Sequence, residues 1–78
     1  MIYFISEVLD GETDILRNFK NETLEFYSLE GDLIKKIEAP RGGWSHERLN
    51  DVAAKNREAT SNGADAYLGR QWVGSTEV

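Results

Sequence analysis

Hydrophobic and polar positions alternate most regularly in residues 23–39. Leu24 and Phe26 alternate with Glu25 and Tyr27, which is the period-two pattern of a strand with one buried face. A turn at residues 30–32, Glu-Gly-Asp, separates this run from a second run rich in apolar residues. Two such runs about a glycine-containing turn predict a β-hairpin. Pro40 ends the hairpin, because proline cannot donate to a central ladder.

The N-terminal part predicts a second pair of strands. Residues 2–9 are rich in β-branched and aromatic side chains, which favours a strand. Asp10 and Gly11 then form a turn signal. Residues 13–20 fit either a helix, with Ile15, Leu16 and Phe19 on one face, or a strand that pairs back across the turn. We expect a strand there, because a hairpin signal precedes the segment.

The second half of the chain predicts one helix followed by a last strand. Ser45 is a good N-cap for a helix over residues 46–60, which has a narrow apolar stripe around Leu49 and Ala53. Gly63 supplies the C-terminal stop. Residues 64–73 predict a strand with a bend at Gly69. Residues 74–78 are expected to be a mobile tail.

These elements predict an α+β fold with the order β-β-β-β-α-β. The chain has 78 residues, so its core must be thin. We expect a small antiparallel β-sheet of four to five strands, built from β-hairpins, with one α-helix packed on one face. Residues 1–73 would form a single domain.

Charge changes this picture, because it is distributed unevenly. Residues 1–32 hold eight acids and two bases, a net charge of −6, whereas residues 33–78 hold six acids and seven bases, a net charge of +1. A charge imbalance of this kind bears on partners and solubility rather than on the fold.

Few residues offer catalytic or metal-binding chemistry. The chain has no cysteine and one histidine, His46, which is expected to face solvent in the first turn of the helix. Asp10, Glu12 and Asp14 have the spacing of a calcium loop, but Ile15 stands where such a loop needs glycine. We therefore expect no catalytic residue, no metal and no cofactor.

The main functional hypothesis is a non-catalytic inhibitor or modulator that occupies a basic, nucleic-acid-binding surface of a partner protein. In size and charge alone the chain is similar to small acidic inhibitors encoded by phages, which act on restriction enzymes or CRISPR effector complexes. Neither direct nucleic-acid binding nor membrane binding is expected, and the predicted location is the cytoplasm, that of the host for a phage protein. The candidate partner-binding residues are Glu7, Asp10, Glu12, Asp14, Glu22, Glu25, Glu30, Asp32 and Trp44.

Three alternatives remain open at this stage. A thin sheet with aromatic residues on both faces could complete its core against a second copy, as a homodimer or a larger homo-oligomer. A small carboxylate-based hydrolase is a weaker alternative, since it needs a pocket. Trp44 follows two glycines and either projects from a loop toward a partner or covers the core.

Overall fold

The computed structural model describes residues 1–5 and 14–76. Within them the order of elements is β-α-β-β-α-β-β. The elements are β1 (Tyr3–Phe4), α1 (Asp14–Phe19), β2 (Leu24–Ser28), β3 (Leu33–Ile37), α2 (His46–Lys55), β4 (Ala64–Leu68) and β5 (Gln71–Ser75).

The strands form one five-stranded sheet in the order β1-β5-β4-β2-β3. All neighbours are antiparallel. Strands β2 and β4 lie in the middle, where Phe26 is opposite Ala66 and Leu24 is opposite Leu68. The α+β class with a small antiparallel sheet and one main helix is therefore confirmed.

The predicted β2–β3 hairpin is confirmed. Its turn is closed by the backbone N–H of Ser28, which donates to the carbonyl of Asp32 at 2.7 Å. Gly31 takes the left-handed conformation in the turn, with φ +94°. Lys35 and Lys36 are exposed on β3, an edge strand of the sheet. Charged side chains on an edge strand discourage pairing with another chain.

One face of the sheet, here called the inner face, packs against α2. On the central strands β2 and β4 its fully buried residues are Leu24, Phe26, Ala64, Ala66 and Leu68. Leu49 and Ala53 of α2 are fully buried in the same core cluster. Removing a side chain the size of leucine or phenylalanine from water stabilises the fold by about 1.5–3 kcal/mol.

Helix α2 begins as predicted and ends earlier than predicted. The Ser45 side chain caps it by accepting a hydrogen bond from the backbone N–H of Arg48 at 3.3 Å. The helix ends at Lys55, not near residue 60, and residues 56–62 form turns. Asn56 ends the regular helix while its side-chain amide donates to the Val52 carbonyl at 2.8 Å, since asparagine competes well with helical backbone bonding.

The prediction of a strand over residues 13–20 is wrong. The segment contains helix α1, in which Leu16 is buried and Phe19 half-buried, whereas Arg17 and Asn18 are exposed. A spacing of three between inward-facing side chains matches a helix and not the period of two of a strand. Residues 6–13, on which the prediction of a first hairpin depended, lie outside the described residues.

The predicted last strand is two strands. Gly69 has φ +62° and stands at the first position of a two-residue loop between Leu68 and Gln71, which pair with each other. Glycine at that position is typical of type II′ hairpin turns. The predicted tail is also wrong at its start, because Gly74 and Ser75 belong to β5 and are buried. Residues 77–78 lie outside the described part of the chain.

Candidate binding surface

The second face of the sheet, here called the outer face, is built from the side chains that alternate with the buried ones. Tyr3 is 52% exposed and Trp72 is 38% exposed on this side. The register brings tyrosines and carboxylates together in its centre. The outer face includes Tyr3, Glu25, Tyr27, Asp65, Tyr67 and Trp72, with Lys36 of β3 opposite Glu25.

The two central strands carry the same short pattern, an acid followed two residues later by a tyrosine. It occurs as Glu25 and Tyr27 in β2, and as Asp65 and Tyr67 in β4. Because the strands are antiparallel, Glu25 is opposite Tyr67 and Tyr27 is opposite Asp65. Side chains directly opposite each other in a sheet lie close enough to interact. We call these four residues the tyrosine–carboxylate square.

The two tyrosine rings of the square contact each other across its diagonal. The ring centroids of Tyr27 and Tyr67 are 5.6 Å apart, and the ring planes are at 89° to each other. Such edge-to-face contact is a preferred geometry for aromatic pairs. It fixes two ring surfaces at right angles in the middle of the outer face.

Each carboxylate of the square accepts a hydrogen bond from an aromatic side chain. The Tyr27 hydroxyl donates to Oε2 of Glu25 at 3.0 Å. The Trp72 indole Nε1 donates to Oδ1 of Asp65 at 3.3 Å. Both donors are neutral, so they orient the carboxylates without removing their negative charge.

The bond to Glu25 also changes the acidity of Tyr27. The hydrogen bond to the Glu25 carboxylate, together with burial and the negative charge of Glu25, raises the pKa of Tyr27 above its ordinary value. A phenol that donates to a carboxylate is stabilised in its protonated form. Tyr27 therefore stays a neutral hydroxyl donor through the neutral pH range.

An open groove of about 480 Å³ crosses this part of the outer face. Tyr27, Tyr67 and Asp65 line it, and Leu29 and Arg70 line it from the two hairpin turns. The Leu29 side chain lies next to Gly63, where an added Cβ would be 2.7 Å from the leucine Cδ1. The groove thus combines aromatic rings, one carboxylate, the Arg70 side chain and an apolar edge.

The structure locates only some of the predicted binding residues, and those do not converge. Glu7, Asp10 and Glu12 lie outside the described residues, and Asp14 is the first residue of α1. Glu22 precedes β2, whereas Glu30 and Asp32 are in the turn that follows β2, so they lie at opposite ends of that strand. Glu25 alone of the predicted acids belongs to the square.

Trp44 belongs to the core. Its side chain is 5% exposed, and its indole Nε1 donates to the Glu22 carbonyl at 2.9 Å. Its backbone N–H donates to the Lys20 carbonyl at 2.7 Å. These bonds tie the loop before α2 to the end of α1, so the expectation of a projecting Trp44 is wrong.

The loop of residues 41–43 is held by an arginine of α2. Nη1 of Arg48 donates to the carbonyls of Arg41 and Gly43, at 2.8 Å each. His46 is exposed at the start of the helix, and the neighbouring Ser45 hydroxyl oxygen is engaged as the helix cap. This arrangement is that of a helix start and not of a nucleophile with its base, which must meet in a specific geometry.

The described residues contain no group of three or more histidine, cysteine or acidic side chains placed to hold a metal ion. Within the same residues, no helix is long and apolar enough to cross a membrane.

Sequence reasoning missed Tyr27, Asp65, Tyr67 and Trp72 as surface residues. The available signal was the repeated acid-x-tyrosine pattern in two predicted strands. This repeat forms one surface only if the two strands are neighbours in the sheet. Strands β2 and β4 are neighbours, although β3 and α2 lie between them in the sequence.

Comparison of the chain with protein-family models, with curated proteins and with solved structures finds no match in any of the three.

Proposed function

We propose that this protein is a non-catalytic binding protein that engages a basic protein partner through the outer face of its sheet. The observation that carries the proposal is the tyrosine–carboxylate square. Tyrosine is enriched at protein interfaces, where it supplies large contact area and a polar tip. The formal net charge of −5 favours encounter with a basic surface.

An inhibitory role follows from the same contact. A basic surface that binds nucleic acid loses that function while an acidic protein covers it, because the phosphates and the carboxylates compete for the same cationic side chains. The outer face offers two carboxylates for this purpose, Glu25 and Asp65, each held by an aromatic donor.

The experiment is affinity capture from a host lysate with three double variants of equal charge. Glu25→Gln with Asp65→Asn removes two charges from the outer face. Glu30→Gln with Asp32→Asn removes two from the β2–β3 turn. A third variant, changed to glutamine at both Glu47 and Glu58, removes two from the helical side, where both residues are exposed.

We expect the outer-face variant to lose the captured partner while the helical-side variant keeps it. Since all three variants have the same net charge, a difference between them locates the contact. Equal loss in all three would mean that only net charge matters and would contradict a defined surface. Loss in the turn variant alone would transfer the contact to residues 30–32.

Self-association through the same face is a second candidate. It is favoured by the exposure of large apolar side chains on or beside this face, namely Tyr3, Leu33 and Trp72. Sedimentation velocity at increasing protein concentration tests it. A dimer that Trp72→Ser dissociates would support this candidate, and a monomer at every concentration would exclude it.

A further inference from the structure

We propose that the groove over the tyrosine–carboxylate square holds a cationic side chain, an arginine guanidinium or a lysine ammonium, supplied by the basic partner. This inference rests on the proposed function and names the chemical group that the outer face recognises. It is carried by the ring geometry and by the position of the carboxylates.

The first argument is the arrangement of the rings. Tyr27 and Tyr67 stand at 89° with centroids 5.6 Å apart and line the same open groove. The face of an aromatic ring attracts a cation within about 6 Å of its centroid. Two perpendicular rings at this separation allow one cation to contact both.

The second argument is the charge beside the rings. Asp65 lines the groove with the rings and is opposite Tyr27 in the register, while Glu25 is opposite Tyr67. Both carboxylates are half-buried, so their interactions are less screened than those of fully exposed acids. A guanidinium between the rings can donate to a carboxylate, which gives a charge-assisted hydrogen bond.

The basic residues of this protein indicate at which end of the square a partner's cation would bind. Lys36 of β3 is opposite Glu25, so the charge of Glu25 has a basic neighbour on the adjacent strand. Asp65 is opposite Ser75 on its other side and is the acid that lines the groove. The incoming cation is therefore assigned to the Asp65 end. Arg70 is in the turn at the other end of β4, where it lines the groove as an opposing charge.

Nucleic acid is the competing occupant, since bases also stack on aromatic side chains. Asp65 is the acid that lines the groove and it has no basic residue opposite it, so it opposes phosphate at that end. The net charge of −5 opposes the backbone contacts that supply most nucleic-acid affinity. These charges favour a cationic side chain over a nucleotide.

The test is a titration of the full chain, labelled at tyrosine and tryptophan, with an oligo-arginine peptide. Nuclear magnetic resonance follows the ring signals of Tyr27 and Tyr67 and the indole signal of Trp72. We expect these signals to shift with the peptide, and oligo-glutamine to shift none of them. Asp65→Asn should weaken binding by about tenfold, whereas the glutamine variant at Glu47 and Glu58 should keep the wild-type affinity.

Variants of Tyr27 and Tyr67 distinguish a specific cation site from general electrostatic attraction. Changing both tyrosines to phenylalanine keeps the ring faces and should hold the affinity within roughly threefold. Changing both to leucine should reduce it by about tenfold. Arg70→Ala should tighten binding, since it removes an opposing charge. The Asp65→Asn result decides the question if the leucine variant does not fold.

Several results would overturn the inference. Equal binding of the peptide to wild type, Asp65→Asn and the leucine variant would mean that the square recognises nothing. Ring shifts with oligothymidylate in place of the peptide would assign the face to nucleic acid and would contradict the proposed function too. If the peptide shifts no ring signal while the outer-face variant still loses the captured partner, the cation site is wrong and the proposed function stands.

Discussion

The two faces of the central strands β2 and β4 differ in how deeply their side chains are buried, although these side chains alternate along the same backbone. On the inner face, Leu24, Phe26 and Leu68 are fully buried against α2. On the outer face, Tyr27 and Tyr67 are half-buried and border an open groove. Within the described residues the buried core lies on one side of the sheet, so changes on the outer face should leave the packing of the inner face in place.

The largest expected effect comes from breaking the inner face at its centre. Phe26→Ala removes a fully buried ring from the core cluster, at a position opposite the small residue Ala66. We expect the free energy of unfolding to fall by about 3–5 kcal/mol, measured by denaturant unfolding followed by circular dichroism.

The matched control for that variant is on the outer face of the same two strands. Glu25→Gln with Asp65→Asn should change the free energy of unfolding by no more than about 0.5 kcal/mol, as is usual for surface substitutions. A loss as large as that of Phe26→Ala would show that the square serves stability, and the separation of the two faces would be wrong.

A smaller effect is expected where β1 joins the sheet. Gly74 pairs with Phe4, and a Cβ at Gly74 would collide with the carbonyl oxygen of Tyr3. Gly74→Ala should therefore displace β1 and reduce the free energy of unfolding by about 1–3 kcal/mol. The loss of β1 pairing would also remove Tyr3 from the outer face.

Gly31→Ala provides a contrasting control. Nothing lies within 4 Å of a Cβ at Gly31, but its φ is +94°, so that variant has a backbone cost of about 1 kcal/mol without a collision. Hydrogen exchange separates the two variants, since Gly74→Ala should expose the amide of Ile5, which donates to Val73, and Gly31→Ala should not. Protection of Ile5 in both variants would contradict the predicted displacement.

The parts of the fold that could be predicted from the sequence are those encoded by local chemistry. The alternation of apolar and polar residues predicted the β2–β3 hairpin. Ser45 predicted the start of α2, because a hydroxyl at that position satisfies free backbone N–H groups. The segment of residues 13–20 was mispredicted because three apolar residues fit either period. Gly69 was interpreted as a bend, although glycine also permits the tight turn that it forms.

The candidate binding surface was less predictable, for a topological reason. Each half of the tyrosine–carboxylate square is visible in the sequence, but the two halves are about forty residues apart. They meet only because β4 pairs with β2, and local patterns do not encode which strands become neighbours. The predicted acids were inferred from charge alone, and charge does not indicate on which face of the sheet a side chain lies.

The smallest expected effect is a change in the acidity of a single outer-face hydroxyl. The pKa of Tyr27 is raised above 10.0 first by its hydrogen bond to Glu25, then by burial and by the charge of Glu25. Glu25→Gln keeps an acceptor oxygen but removes the charge, so it should lower the pKa of Tyr27 toward the ordinary value. The measurement is a pH titration of the Tyr27 ring signal by nuclear magnetic resonance, with Glu47→Gln as the control that should leave it unchanged.

The hydrogen bond from Tyr27 to Glu25 also makes the stability of the fold depend on pH in the alkaline range. Because the pKa of Tyr27 is higher in the folded than in the unfolded chain, the bond stabilises the fold fully below the unfolded pKa of about 10. That stabilisation is lost as the pH rises through the folded pKa. Wild type should therefore lose more stability than Glu25→Gln as the solution becomes strongly alkaline, in denaturant unfolding measured on both sides of this range. If the two proteins lose stability in parallel, the Tyr27–Glu25 bond does not persist in solution, and the orientation of the Glu25 carboxylate in the square must have another cause.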